Sequence, residues 1–205
     1  EIDTLRLLTV AFGMYGSNSK NYGDGFTTMY GANHEDIAYS YRTGNHGDGS
    51  WYSINGNIDY QRTSRKNKQR MITFSYKINT QPQTSNSNTG YEDIHAKEEV
   101  DDLVKRLLLK NTQSDGKTNT MEQTFQVDYT TPIGELHTVE AGAKYIFRRN
   151  TSDNKLYEAA GGSDDYLYNE DRSSDYRHLN HILAAYLGYT LKYKDFTFKP
   201  GVRYE

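Results

Sequence analysis

The stretch VDYTTPIGELHTVEAGAKY, residues 127–145, holds two runs of alternating apolar and polar residues around a short polar turn. The same arrangement recurs at residues 58–76 and 187–204, with a tyrosine at nearly the same place on each side of every turn. Successive side chains of a strand point to opposite faces, whereas a helix repeats every ~3.6 residues. The three stretches therefore predict β-hairpins that carry one apolar and one polar face.

The alternation runs far enough along the chain to define a whole sheet. In residues 70–79 one face holds Ile72, Phe74, Tyr76 and Ile78, and the other holds Thr73, Ser75, Lys77 and Asn79. Comparable runs occupy residues 51–62, 122–129, 138–147, 183–193 and 196–204. Residues 35–41 are a shorter match, and residues 5–15 are mostly apolar and alternate less cleanly. These runs predict about eight antiparallel strands.

Four polar stretches without alternation separate these runs at the ends away from the short turns. They cover residues 16–25, 44–50, 81–119 and 149–176, and we expect them to be loops. Within the longest of them, residues 98–104 favour a short amphipathic helix, followed by a strand at 106–110. Short turns at one rim and long loops at the other are typical of outer-membrane barrels.

The apolar face decides between a membrane barrel and a soluble sheet. In hydrocarbon an unpaired backbone amide costs several kcal/mol, so a lipid-facing sheet must close on itself. We therefore predict an all-β fold, a segment of an antiparallel up-and-down transmembrane β-barrel, with tyrosines in the interfacial girdle. The alternative is a soluble, secreted β-sandwich, which also alternates. Against it, the apolar face is rich in tyrosine, whose hydroxyls need partners in a dry core.

Composition and residue spacing exclude several functional classes. The 205 residues carry a net charge of -3, which gives no basic surplus for binding nucleic acid. The absence of cysteine excludes disulfides and thiolate metal sites. His178 and His181 are three residues apart and face opposite sides of a strand, so we expect no shared metal. No arrangement of nucleophile, base and orienting group is recognisable, and no cofactor motif is present, so we expect no enzyme.

Four segments carry a family resemblance. They are Ile58-Asp59-Tyr60-Gln61-Arg62-Thr63, Phe125-Gln126-Val127-Asp128-Tyr129-Thr130-Thr131-Pro132, the run from Ser173 through Tyr176 to Tyr186, and Gly201-Val202-Arg203-Tyr204-Glu205. From about Asn55 to the end, the chain resembles the outer-membrane β-barrel family found in TonB-dependent receptors of gut-type Gram-negative bacteria. These segments are strand-and-turn signatures rather than ligand sites.

The resemblance implies a nutrient importer of the bacterial outer membrane. Such receptors have a barrel of about 22 strands, an N-terminal plug and a segment that contacts TonB. We expect residues 1–205 to be a single fragment of such a barrel, with no plug domain. The expected partners are outer-membrane lipid, an unknown nutrient and the TonB complex, which would be reached through parts absent from this chain.

Three aromatic residues are candidates for ligand binding. Trp51 follows the stretch at 44–50 and could stack on a sugar at the outer mouth, and Tyr166 and Tyr168 could do the same from the last long stretch. The alternative is that all three have a structural role, as interfacial or loop-packing aromatics. Two rival functions stay open: a glycan-binding β-sandwich that uses these residues, and an outer-membrane barrel with a structural or adhesive role.

Overall fold

A single antiparallel sheet dominates the computed structural model, which describes residues 4–32, 35–98, 100–105 and 109–205. The strands are β1 (Arg6–Tyr30), β2 (Ile37–Thr63), β3 (Met71–Ala96), β4 (Lys110–Ile133), β5 (His137–Ala160), β6 (Leu167–Tyr168), β7 (Ser174–Tyr193), β8 (Phe196–Phe198) and β9 (Gly201–Tyr204). The order in the sheet is β1-β2-β3-β4-β5-β7-β8, with β6 beside β5 and β9 beside β7. This up-and-down arrangement confirms the predicted all-β fold class.

The last two strands are one strand position, interrupted by a proline. β8 and β9 both pair with β7, and Pro200 lies between them. Proline has no backbone N–H to give to the ladder. The carbonyl oxygen of Pro200 nevertheless accepts a hydrogen bond from Tyr189 N at 3.0 Å, which keeps the strand beside β7.

The connections at one end of the sheet are short. Residues 64–70 join β2 to β3, residues 134–136 join β4 to β5, and residues 194–195 join β7 to β8. Gly134 has a φ of 67° and Lys194 a φ of 53°, the left-handed geometry that tight hairpin turns require. The sequence predicted all three turns.

The expected long loops are mostly strand. Residues 16–25 lie inside β1 and residues 44–50 inside β2, while β3 continues to Ala96 and β5 to Ala160. Five strands consequently reach 24–27 residues. These segments carry polar residues on both sides, so they show no apolar alternation, although their backbones pair like the rest. The connections at this end shrink to residues 31–36, 97–109 and 161–173.

The predicted helix is shorter than expected. The described residues contain one helix, α1, at Asp101–Leu103, and Lys105 forms an ion pair with Asp101 at 2.9 Å. The strand that follows begins at Lys110. Residue 99 and residues 106–108, which belong to this prediction, lie outside the described residues.

The soluble β-sandwich is wrong for this chain, because all nine described strands belong to one sheet and no second sheet packs on it. Few apolar residues in the described ranges are buried. Val104, Leu109 and Ala159 lie near the long connections, and Ala184 lies at the centre of the sheet. The sheet is also open, since the register pairs neither β8 nor β9 with β1.

Candidate functional site

The hairpin register gathers the apolar residues of the alternating runs on one side of the sheet. Tyr60 pairs with Phe74, Phe74 with Val127, Val127 with Ala143, and Ala143 with Ala185. Directly paired residues of antiparallel strands lie on the same face. We call this side the apolar face, and it is the side that the alternation predicted.

The opposite side, which we call the polar face, is equally continuous. Asp59 pairs with Ser75, Ser75 with Gln126, and Gln126 with Lys144. Each of these residues is one position removed from a residue of the apolar face. One shift of register would therefore exchange the two faces completely.

The height of the apolar face matches a membrane. On β5 it runs from Val139 to Phe147, about 27 Å along a strand that rises ~3.4 Å per residue. At a tilt of about 40° this gives a height near 21 Å, close to the ~25 Å apolar band of outer-membrane barrels. Its side chains lack a protein cover: Phe12, Leu183 and Val202 are 74%, 69% and 67% exposed.

The tyrosines of one hairpin, which the sequence places at nearly the same distance on each side of the turn, do not pair directly with each other. Tyr76 pairs with Ile58, and Tyr145 pairs with Phe125. Turn length sets the register, and Tyr76 consequently lies one level, or two residues, further from the short turn than Tyr60. Tyrosines therefore occur at several levels of the apolar face.

Histidines satisfy two of the tyrosine hydroxyls on the apolar face. Tyr189 Oη lies 2.5 Å from His137 Nδ1, and Tyr145 Oη lies 2.7 Å from His181 Nδ1. His181 also packs against Phe147, with ring centroids 5.1 Å apart. These contacts give polar atoms a partner on an otherwise apolar surface.

Ion pairs cross the strands on the polar face. Lys199 Nζ lies 3.0 Å from a carboxylate oxygen of Glu140, and Arg148 Nε donates to Glu122 at 2.5 Å. Within β2, Asn57 donates to the Asp59 carboxylate at 2.7 Å. The groups are partly exposed, so each contact contributes modestly, and together they fix the alignment of neighbouring strands.

A tyrosine bridges three strands on the polar face. Tyr186 Oη donates to Asp128 Oδ1 at 2.5 Å, and Gln126 Nε2 donates to both oxygens of the same carboxylate. The Tyr186 ring lies over Gly142 on the strand between them, where an added Cβ would collide with the ring. Gly142 therefore makes room for this bridge.

Comparison with known proteins decides the family. The profile of the outer membrane protein beta-barrel family matches residues 64–205, which is more than half of the chain. The chain belongs to this family. No curated protein matches it. Among solved structures, the ferric citrate transporter FecA in its unliganded form matches with a TM-score of 0.28 and 12% identity, over 97% of this chain and 37% of that one. The chain thus spans well under two thirds of that structure.

Family membership places this outer-membrane barrel chain in the bacterial outer membrane, with lipid as its surroundings. The apolar face then turns to lipid and the polar face to the lumen, as alternating strands require. Among the described residues, no helix is long and apolar enough to cross a membrane. Crossing needs only ~9–11 residues of strand, so more than half of each long strand projects beyond the bilayer.

A carboxylate organises the projecting end of the outer-membrane barrel chain. Glu158 accepts hydrogen bonds from Asn169 at 2.9 Å and Lys110 at 3.2 Å, and its other oxygen accepts one from Arg172 at 2.5 Å. The Asn169 hydrogen bond, followed by those from Lys110 and Arg172, lowers the pKa of Glu158, while desolvation opposes this shift. The ionised carboxylate ties the connection at 161–173 to β4 and β5.

The three aromatic candidates do not come together. Trp51 lies on the polar face, which is the side that alternation along residues 51–62 predicts for it. It makes an edge-to-face contact with Tyr15 on β1, with ring centroids 5.7 Å apart. Tyr168 packs beside Tyr157 on the outward side of β5, with tilted rings whose centroids are 5.5 Å apart. Tyr166 lies in the connection just before it. The sequence argument missed Tyr15, because only the register of β1 and β2 brings it beside Trp51.

The two histidines of β7 lie on opposite faces, as their odd spacing predicts. His178 pairs with Asn150 on the polar face, while His181 pairs with Phe147 on the apolar face. Within the described ranges, no three metal-ligating side chains cluster around one point.

Proposed function

We propose that this chain forms part of the barrel of an outer-membrane receptor that imports a nutrient with energy delivered through TonB. The observation that carries the proposal is the open, two-faced sheet. It has a lipid-facing apolar side of membrane height and a lumen side lined with paired charges. Substrate choice lies beyond the bilayer, on the projecting parts of the strands and in the missing parts of the receptor.

The unpaired edges support a larger barrel than seven strand positions can make. β1 offers 25 residues of edge, and β8 and β9 offer the other edge. Lipid does not tolerate such edges, because their amides have no alternative partner. We propose that further strands of the same receptor pair with both edges and close the barrel.

The charged side chains of the lumen face support transport over a purely structural role. Small barrels fill their interior with side chains, whereas wide barrels hold water or a plug. Here the lumen-facing Lys77, Lys144 and Arg148 share the interior with Asp59 and Glu122. A plug and a TonB-contacting segment would belong to parts of the receptor outside residues 1–205.

Growth of a deletion strain tests this proposal. In the native Gram-negative host, deletion of the gene should abolish growth on one scarce nutrient from a panel of iron chelates, glycans and peptides. A tonB deletion should show the same defect, because both remove the same import step. If the gene deletion changes no growth phenotype but removes surface adhesion, the barrel is adhesive and the transport proposal fails.

A further inference from the structure

The polar face changes character where the strands leave the bilayer. Beyond the membrane, the side chains of this face come from every second residue of six strand segments, starting with the first residue of each. The segments are 15–21 on β1, 47–53 on β2, 81–87 on β3, 114–120 on β4, 150–156 on β5 and 174–178 on β7. None of these alternate residues is Asp, Glu, Lys or Arg. We call this surface the neutral band. Charged residues make up 25% of the whole chain. Their absence from four successive levels of five strands and from three levels of β7 is therefore a property of this surface.

The outward side of the same segments has the opposite composition. It carries eight charged residues: Lys20, Asp48, Asp115, Lys117, Asp153, Lys155, Asp175 and Arg177. These segments are therefore not simply poor in charge. Charge is segregated to the outer surface of the wall, where it faces water, and is missing from the surface that faces the barrel axis.

The neutral band lies directly beyond the membrane. On β1 it begins at Tyr15, after the outward-facing Met14, and on β2 it begins at Ser53, beside Ile54. The ion pair of Glu122 with Arg148 lies one level nearer the bilayer on the same face. A solute that approaches the lumen from outside would meet the neutral band before it meets the first charges.

Aromatic side chains stand at both lateral ends of the neutral band. Tyr15 and Trp51 meet edge to face at one end, and Tyr176 stacks with His178 at the other, with centroids 6.3 Å apart. Trp51 and Tyr176 are 45% and 54% exposed, so their rings are accessible. They share one register level and are four strand spacings apart, about 19 Å.

Uncharged hydrogen-bonding groups fill the space between the aromatics. Gln83, Thr118 and Ser152 occupy the same level as Trp51, and Asn150 lies one level below. The Oδ1 atom of Asn150 is buried and has no hydrogen-bond partner among the described residues. A buried acceptor without a partner costs about 1–3 kcal/mol.

Glycines leave room for asparagine side chains to lie flat across the neutral band. An added Cβ at Gly47 would collide with the Asn21 side chain, and one at Gly116 would lie 2.9 Å from Asn154 Oδ1. Both asparagine side chains thus lie across glycines of the neighbouring strand. The result is a shallow surface that presents amides to whatever lies above it.

We propose that the neutral band binds an uncharged oligosaccharide, which would be the nutrient of the import function proposed above. Sugar hydroxyls donate and accept hydrogen bonds, as do the hydroxyl and amide side chains between the aromatics. The C–H faces of a sugar ring pack on exposed aromatic rings, which offer large apolar surface. An anionic or cationic cargo would instead need a countercharge, and the neutral band supplies none.

A glycan array tests the proposal on the purified, complete receptor in detergent. The array carries neutral gluco-, manno-, xylo- and galacto-hexasaccharides, with acidic uronic-acid oligosaccharides and charged peptides as comparison. We expect binding of at least one neutral hexasaccharide and no tighter binding of a charged probe. Trp51→Ala and Tyr176→Ala should each weaken that binding by about tenfold or more, in line with the loss of a buried aromatic contact.

Matched variants on the outward side control for folding. Tyr52→Ala removes an aromatic ring next to Trp51 from the other face, and Asn119→Asp adds a charge next to Thr118 on the other face. Both should leave binding within about twofold, whereas Thr118→Asp should weaken it as strongly as Trp51→Ala. All variants should keep the heat-dependent gel mobility of a closed barrel.

Three outcomes would overturn the proposal. They are no binding of any neutral hexasaccharide, tighter binding of a charged probe, and equal effects of Trp51→Ala and Tyr52→Ala. If another segment of the receptor covers the neutral band, the fluorescence of Trp51 will resist quenching by acrylamide and no sugar will bind. The growth test with the tonB deletion does not depend on sugar binding. If the receptor imports a different nutrient, the import proposal stands and only the oligosaccharide proposal fails.

Discussion

Replacing Phe74 by arginine tests the assignment of the two faces. Phe74 lies in the middle of the apolar run of β3, paired with Tyr60 and Val127, and is 49% exposed where the barrel meets lipid. Arginine at the bilayer midplane of an outer-membrane barrel costs about 2–4 kcal/mol. Since about 1.4 kcal/mol corresponds to a factor of ten, Phe74→Arg should lower the folding equilibrium constant by roughly 30- to 700-fold.

The matched control is Thr73→Arg, one residue away on the polar face. Thr73 pairs with Asp128, so the new cation would lie in the lumen beside a carboxylate, and we expect a change below about 1 kcal/mol. The assay is urea-dependent unfolding of the complete protein in lipid vesicles, with Phe74→Leu as a variant that stays apolar. Equal destabilisation by the two arginines would refute the face assignment.

Three further predictions follow from the contacts. Gly142→Ala should destabilise the barrel by about 1–3 kcal/mol in the same unfolding assay, because the added methyl displaces a tyrosine ring; a neutral effect would contradict the bridge. Gln83→Cys together with Thr118→Cys should form a disulfide on oxidation, seen as a gel shift, because these residues pair directly. If Gln83→Cys cross-links equally well to a cysteine at Asn119, the register is not fixed and this region is a loop. Because the pKa of Glu158 is lowered, its stabilisation is complete above its unfolded pKa and is lost as pH falls through the folded pKa. The melting temperatures of the wild type and Glu158→Gln should therefore differ at pH 7 and converge as the pH falls below the lowered pKa of Glu158. A difference that stays constant from pH 7 into acid would contradict this role.

The sequence predicted those parts of the fold in which one face is apolar. In β3 the alternation of Ile72, Phe74 and Tyr76 with polar residues identified the strand, its faces and its short turn. Lipid on one side and water on the other impose that period. The polarity of each alternate residue therefore carries information about its direction.

The same reasoning failed where both faces are wet. Residues 81–88 read Gln-Pro-Gln-Thr-Ser-Asn-Ser-Asn, which has no apolar period, and yet they pair with β2 and β4. Backbone pairing with neighbouring strands holds them in the sheet, and composition does not report it. The charge segregation of the neutral band was invisible for the same reason, because it appears only when the register of six strands is known.

The candidate site was predicted in part. The alternation placed Trp51 on the polar face correctly, since it follows from counting along β2. Its contact with Tyr15 and its shared level with Tyr176 depend on pairing across strands that are far apart in sequence. Tyr168 looked equivalent to Trp51 in the sequence, but its pairing with Tyr157 puts it on the outward side.

The most direct test of the central claim is a cysteine scan of residues 72–78, one position at a time, in the complete receptor in its outer membrane. Residues 1–205 contain no cysteine, so once any cysteine elsewhere in the receptor is replaced, each position can carry a single fluorophore. The account predicts that nitroxide-labelled lipid quenches the fluorophore at 72, 74, 76 and 78, whereas a water-soluble quencher acts at 73, 75 and 77. Quenching of every position by the water-soluble reagent, or no period of two, would contradict a lipid-facing barrel wall.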